Sequence, residues 1–528
     1  MCGILGQFET RGKVERPAFH AMLETLASRG PDGGGSRFLA NGALALGHRR
    51  LAIIDLSPAG AQPMSNEDES IWLTFNGEIY NYRDLQKQLL AAGHRFRSGT
   101  DSEVIVHAYE EWGDDCVHEL RGIFAFGLWD ERRRRLFLAR DPLGVKPLYY
   151  WHDDGTLVFA SQPRAILAHP RFRADIDAEA FQNYLAYRYV PDDQAIFRGV
   201  KKLPAGHRMV LDGASLRVES YWRPEYRPVV HRPDEAAELL REKLERAVRS
   251  QMVSDVPLGV FLSGGVDSST VAAIAAEAQQ EPLRTFTLGF DAPESDERPY
   301  ARATNRAIGA VGSEEVMTFD QAMERIPQFI DLYDEPFFDH SGLPTHEVSR
   351  LARGHGVKVV LAGDGADELF AGYRWYEDFP GLEEAGWKRL LHKLGGGPPD
   401  AVAALFARTG FLDAQRQRTL LCEAGHFDPL AVYRKFFRPD VPLITALQLI
   451  DLRLFLVDDV LLKVDHASMA CGVEVRVPFL DVEVVEAAFS IDSRIVFARG
   501  ERKALLKRAA ARWLPEHILT ARKKGFSV

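Results

Sequence analysis

Cysteine is scarce in this chain and poorly placed for cross-linking or metal binding. The 528 residues hold four, Cys2, Cys116, Cys422 and Cys471, widely scattered and without Cys-x-x-Cys spacing. That argues against zinc sites and a disulfide framework, and a reducing, cytoplasmic compartment is expected. No run approaches the ~18 apolar residues of a membrane span, and the amino terminus, MCGILGQFETRG, lacks the apolar core of a signal peptide. A basic surplus is missing too. The formal net charge is −10, which argues against a general nucleic-acid binder, because phosphate backbones demand a basic face. The run Arg132 to Arg135 reads as the solvated end of a turn between strands. Neither membrane nor nucleic acid is therefore expected as a partner.

What remains is the composition of a globular protein, 46% hydrophobic and 27% charged, in a chain too long for one ordinary core, so two or three domains are expected. The most informative stretch is VPLGVFLSGGVDSS, Val256 to Ser269. Gly259 to Leu262 reads as a short buried strand, and Val271 to Ala278 as helix. A strand that turns through glycines into a helix aims free backbone N–H groups at one point, where the helix dipole adds positive potential. The turn is an anion site. It lacks the lysine of GxxxxGK[ST], which excludes a P-loop. SGGVDSS instead resembles the SGGxDS loop of the ATP pyrophosphatases, which implies ATP as co-substrate, with Ser263, Gly264, Gly265, Asp267 and Ser268 around its phosphates.

Position 2 carries the second chemical signal. Removal of Met1 would give Cys2 both a thiol and a free α-amine, and that amine, with a reference pKa of ~8, can serve as base for the thiol. For Cys116, Cys422 and Cys471, in helix-like contexts, a buried structural role is favoured. MCGI, RGPD, HRRLAIIDLS, NGEIYN, TDSE, RGIFAFGLWD and RDPLGVKPLYY together resemble the amino-terminal-nucleophile glutaminase domain of class II glutamine amidotransferases.

The resemblance makes Cys2 the nucleophile, and the residue types suit amide hydrolysis. Asn76 and the Gly77 N–H can supply two donors to the oxyanion. Arg50 offers a guanidinium fork for the α-carboxylate of glutamine. By the family pattern, Glu78 and Asp101 accept from its α-ammonium. On spacing alone, Asn76-Gly77 also fits a hairpin turn and Asp101 a helix cap. His48 is read as structural and Arg49 as exposed or bridging. Arg140, Asp141, Gly144 and Lys146 are given a structural or domain-contact role. Gln162 departs from the glutamate usual in relatives.

In the other half, Asp234 to Val253 has helical spacing, Arg284 to Phe290 is a strand, and β-α alternation ends in the apolar run Val357 to Ala362. These units imply a parallel sheet that binds ligand at its carboxyl ends, with Leu262, Leu288 and Ala362 on one rim. Clustered acids beside a phosphate loop repel ATP unless a cation intervenes, so Mg2+ is implied, with Asp267 and Asp367 as candidate ligands. AGDGADELFAGY, Asp334 to Phe337, VDHASMACGVEVRVPFLD and GERKALLK resemble asparagine synthetases. By that match Leu262, Leu288, Ala362 and Gly363 line an adenosine pocket, Asp364 lies near the acyl-adenylate, and Lys503 neutralises charge developing on the phosphates. His466 stands where relatives carry Arg or Lys, and the chain stops at Arg522 to Val528, within a segment that relatives continue.

The expected architecture has two domains: an amino-terminal-nucleophile α/β/β/α sandwich glutaminase over 2–222, a linker at 223–233, and a parallel-sheet α/β ATP-pyrophosphatase domain, of the adenine-nucleotide α-hydrolase-like type, over 234–528. The resemblance implies glutamine-dependent amidation of an adenylated carboxylate, L-aspartate first, with a homodimer allowed. Alternatives are a same-architecture enzyme amidating another carboxylate and a non-catalytic regulatory relative. An RNA-modifying ATP pyrophosphatase would want a basic surface and a cysteine pair.

Overall fold

Alternating apolar residues build the amino-terminal half from two facing antiparallel sheets. The computed structural model describes residues 2–213, 215–292, 296–378, 401–421 and 427–520. Cys422 and the stretch from Arg522 to Val528 lie outside the described residues. The first sheet has six strands, in spatial order Val200–Lys202, Tyr149–Asp153, Thr156–Ala160, Gly3–Glu9, Leu44–Arg50 and Gly33–Leu39. The second also has six: Ser215–Ser220, His207–Asp212, Arg135–Arg140, Gly122–Asp130, Ile71–Ile79 and Met64–Ser65.

Three cores stack these layers. Helix Arg16–Glu24 packs Phe19, Met22 and Leu23 onto the outer face of the first sheet at Leu5, Ala45 and Val158. Between the sheets lie Ile4, Leu46, Trp129, Leu138, Phe159 and Met209. Helices Tyr82–Ala92 and Glu103–Trp112 cover the second sheet, with Leu85, Leu89 and Ile105 against Phe75, Phe126 and Phe137. The order is α/β/β/α, as the resemblance implies.

One ring sets how closely the two sheets approach. Phe159 lies directly over Gly6, its partner on the neighbouring strand, and reaches Gly127 of the facing sheet. A Cβ on Gly6 would stand 2.0 Å from that ring, and one on Gly127 2.2 Å.

In the other half five parallel strands run in the order Val311–Met317, Arg284–Phe290, Leu258–Phe261, Val359–Leu361 and Glu474–Arg476. Buried on both faces, the central strands read as continuous apolar runs rather than alternating ones. Helix Pro233–Gln251 lays Ala236, Leu240, Leu244 and Val248 into this core. Helix Val266–Ala278 is buried from Ser268 to Ala275, which is why it lacks a polar face. Among the described residues no helix is long and apolar enough to cross a membrane.

The last strand, Glu474–Arg476, was not anticipated: it is three residues long and sits inside a segment read only for its resemblance. It pairs with Val359–Leu361 in the register Leu361 to Arg476. Gly127→Ala should overpack the ring sandwich and cost about 1–3 kcal/mol, read as a lowered Tm, whereas Gly33→Ala, with no atom within 4 Å of its added Cβ and no left-handed backbone, controls for loss of a glycine alone.

Candidate functional site

Cys2 precedes strand Gly3–Glu9 and is buried at the floor of a small pocket of about 30 Å3, lined also by Arg50, Gly77, Glu78, Asp101 and Glu474. Its backbone nitrogen donates to Asn76 Oδ1 at 2.9 Å. Asn76 is fully buried, and its Nδ2 has no hydrogen-bond partner, a cost that a bound acceptor would remove. The Asn76-Gly77 pair is not a turn. It lies inside strand Ile71–Ile79, opposite Ala125 and Phe124. Gly77 has φ +153°, and an added Cβ would meet Ile123 O at 2.0 Å, so the backbone can pass here only without a side chain.

Arg50 ends strand Leu44–Arg50 and is held by Asp55 O at 2.5 Å and Ser57 O at 3.1 Å. Asp101 is no helix cap: helix Glu103–Trp112 begins after Ser102, and Asp101 Oδ2 accepts from Ile79 N at 2.8 Å. Burial pushes Asp101 up to about 6. Burial likewise raises the Cys2 thiol, opposed in part by the positive chain terminus, so the sulfur needs a base to become a thiolate. His48 is structural: it is buried, its Nε2 is 3.1 Å from Phe75 O, and desolvation lowers it to about 3. Arg49 is paired with Glu24.

The structure adds two residues that sequence reasoning gave no role. Glu474 reaches the Cys2 pocket from the parallel sheet of the other half. Arg476, fully buried, donates to Glu78 Oε2 at 2.9 Å, to Glu474 Oε1 at 2.6 Å, and to the carbonyls of Gln251 and Val253 at 2.7 and 2.6 Å. Burial and Asp101 push Glu78 well above the usual carboxylate range, and Arg476 opposes them. The Arg476 carbonyl meanwhile accepts from Ala362 N at 2.9 Å. One residue therefore touches the walls of both cavities. The signal was legible only as VEVRVPF, where an Arg between valines in a buried strand demands carboxylate partners.

The second cavity, of about 690 Å3, opens at the carboxyl ends of the parallel strands. Leu262, Ser263, Gly265, Asp267, Ser268, Leu288, Ala362, Gly363, Asp364, Asp367 and Lys503 all line it. Gly264 does not. With φ +82°, its Cα faces helix Arg298–Ile308, where a Cβ would lie 2.5 Å from Ala301 N, so this glycine lets the loop approach the helix. The Ser263 and Ser268 hydroxyls are 3.0 Å apart. Lys503, at the head of helix Ala504–Ala510, has left-handed φ 57° and is buried rather than on the surface. Its Nζ bridges Asp267 Oδ2 at 2.5 Å and Asp367 Oδ1 at 2.8 Å.

Asp364 is raised by burial, with Lys463 opposing. Lys463, which sequence reasoning did not single out, also lines the cavity and donates to Ser341 Oγ at 2.8 Å. Glu368, bonded to the Tyr373 hydroxyl at 2.5 Å, is pushed up to about 8 by burial and by Asp367. His466 is buried, stacks on Tyr333 with ring centroids 5.3 Å apart, and is lowered by desolvation, which leaves it neutral at pH 7. Gln162 is buried at the start of helix Pro163–Leu167, two residues before Arg164 pairs with Asp334 at 2.6 Å. Arg140 and Asp141 bond within their own segment: Arg140 Nε to Lys146 O at 2.7 Å, and Lys146 N to Asp141 Oδ2 at 2.9 Å. Gly144 has φ +69°, and Lys146 is fully buried.

A thiol pocket with an orphaned amide donor, and a glycine-turn anion cradle with converging acids, define an enzyme that joins a glutaminase to an ATP-dependent synthetase. Comparison with known proteins bears this out. Residues 1–222 match the glutamine amidotransferase domain family and residues 239–528 the asparagine synthase family. A glutamine-hydrolysing asparagine synthetase of Bacillus subtilis (strain 168) is 33% identical, with 100% of this chain and 87% of that one aligned. Another, from Sandersonia aurantiaca, is 31% identical over 100% of this chain and 86% of its own. The chain belongs to the asparagine synthetase family.

Arg476→Met should leave Glu78 neutral and loosely held. The expected result is a KM for glutamine raised about ten-fold or more (about 1.4 kcal/mol) with a smaller change in glutaminase kcat, and partial recovery in Arg476→Lys. A general folding defect would instead lower kcat for glutamine and for ammonia alike.

Proposed function

We propose that this chain makes L-asparagine from L-aspartate, ATP and glutamine. The observation that carries the reading is Asn76: its Oδ1 takes the Cys2 N–H while its buried Nδ2 waits for an acceptor beside the thiol. The proposed division is glutamine chemistry in 2–222 and ATP chemistry in 234–528, joined by 223–233.

In the first site the freed α-amine of Cys2 takes the thiol proton as sulfur attacks the glutamine carboxamide carbon. Asn76 Nδ2 and the Gly77 N–H hold the oxyanion, Arg50 the α-carboxylate, and Glu78 and Asp101 the α-ammonium. The C–N bond breaks to release ammonia, and water then cleaves the thioester to glutamate. In the second site the aspartate side-chain carboxylate attacks the α-phosphorus of ATP, and pyrophosphate leaves into the Ser263–Ser268 turn. Ammonia displaces AMP from the acyl-adenylate, giving the amide.

Mg2+ fits the donor set. Asp267 and Asp367 converge on one point, and the Lys503 ammonium between them stands in for a cation. The ion would be held by these two carboxylates and would neutralise and orient the phosphates. Lys503, released from the pair, can then reach the phosphates itself.

Helix Leu462–Ala470 supports a shielded route between the sites. Asp465 pairs at 2.7 Å with Arg29, whose Nε donates to the Cys2 carbonyl at 3.2 Å, while Lys463 and Val464 line the ATP cavity. Ammonia that escaped into water at neutral pH would be protonated and lose its nucleophilicity. The free thiols Cys116 and Cys471 suit a reducing cytoplasm.

Cys2→Ala should abolish glutamine-dependent synthesis while leaving synthesis from ammonium salts largely intact, measured as aspartate-dependent AMP and pyrophosphate formation across a panel of carboxylates. Loss of both activities would refute the division of labour, and a better acceptor than aspartate would replace the substrate. Because Asp101 accepts from substrate only when ionised, kcat/KM for glutamine should fall as pH drops through about 6, and Asp101→Asn should weaken glutamine binding and remove that limb of the profile.

A further inference from the structure

Away from both cavities, His94, His107 and Glu110 bring three ligand atoms within 4.8 Å of one another. His107 and Glu110 lie three residues apart on helix Glu103–Trp112, and His94 follows helix Tyr82–Ala92. Glu110 Oε2 stands 2.7 Å from His107 Nδ1 and 3.5 Å from His94 Nδ1. Ligand atoms around a tetrahedral zinc at ~2.0 Å lie about 3.3 Å apart, and the two observed separations flank that value.

The outer groups are also in place. The far ring nitrogen of His94 is 3.2 Å from Glu111 Oε2, that of His107 faces Glu103 Oε1 at 3.7 Å, and Asn66 Nδ2 donates to Glu110 Oε1 at 2.7 Å. His94 and Glu110 thus have hydrogen-bond partners on the side away from the common centre, and His107 Nε2 faces a carboxylate there without bonding it, an arrangement that leaves both Nδ1 atoms inward. His107 is buried, His94 half-buried, and Glu110 open to solvent, so the fourth position faces water.

We propose that His94 Nδ1, His107 Nδ1 and Glu110 Oε2 form a structural site for a divalent transition cation of the zinc class, completed by water. Two imidazoles and one carboxylate select zinc-like ions over magnesium or calcium. The ion clips the segment after helix Tyr82–Ala92 to helix Glu103–Trp112. Glu103, behind His107, also accepts from Arg97 N and Ser98 N at 2.8 Å each, so the clip braces the loop that carries Asp101 into the glutamine pocket.

The test uses the full chain, stripped with a chelator and titrated with Zn2+ against a chromophoric competitor, and with Co2+ followed by visible absorption. The expected result is one tight zinc equivalent and the intense bands of tetrahedral cobalt. Both should be lost in His94→Ala and in Glu110→Gln, with zinc weakened about 10–100-fold in Glu111→Gln. His94 and Glu110 reach the surface, so these variants should keep the wild-type Tm without metal, and zinc should raise Tm in the wild type only. Zinc uptake no tighter in the wild type than in His94→Ala and Glu110→Gln, or cobalt bands unchanged by them, would overturn the proposal and leave a proton-bridged cluster only.

Discussion

The buried guanidinium of Arg476 is the contact on which the two halves depend. A cation with no access to water is tolerated only when its donors are well paired, and each of the three guanidinium nitrogens of Arg476 finds a partner among two carboxylates and two carbonyls. One carboxylate, Glu78, belongs to the antiparallel sheet that carries Asn76, and the other, Glu474, to the parallel sheet. Buried ion pairs of this kind contribute little net stability, but removing one partner leaves a charge stranded and costs about 3–5 kcal/mol. Their effect is to restrict geometry, and here they restrict the position of one active site against the other.

Other cross-links repeat this chemistry at lower stakes. Arg29 with Asp465, Lys202 with Asp458, Arg164 with Asp334 and Asp32 with Lys358 each join a residue of the sandwich to one of the parallel-sheet half. Three of them, Arg29, Lys202 and Arg164, grip the segments around helix Leu462–Ala470 or the Asp334 loop that faces it across Tyr333 and His466. That helix lies between the Asp465–Arg29 pair next to Cys2 and the lining of the larger cavity.

Much of this was legible because the chemistry is encoded by neighbours in the chain. The turn Ser263–Ser268 announces itself through glycine placement alone, and Cys2 by standing next to the initiator methionine. The strand Arg284–Phe290 coincides with its apolar run. Where function depends on distant pairing, the sequence is mute. Arg476 and Glu78 are separated by 398 positions, and a three-residue strand has too few side chains to show a period. Asn76-Gly77 reads locally as a turn, but burial of the flanking Phe75 and Ile79 draws it into a strand. Lys503 is placed at the site only by its match to the family segment, because no local rule says that a left-handed backbone at a helix head will turn an ammonium inward. The His94, His107 and Glu110 cluster escapes because its members lie on one helix and on the segment after another, whose packing sets the distance.

The bridge that Lys503 makes between Asp267 and Asp367 means that the acids of the larger cavity are not an open negative trap. They carry their own counter-ion, so a free divalent ion arriving alone must evict an ammonium that is already doubly paired. On the proposed reading, a nucleotide bound with its metal would offer the displaced lysine phosphate oxygens in exchange for the carboxylates it gives up. The same bridge would then favour joint binding of metal and nucleotide over binding of the metal alone.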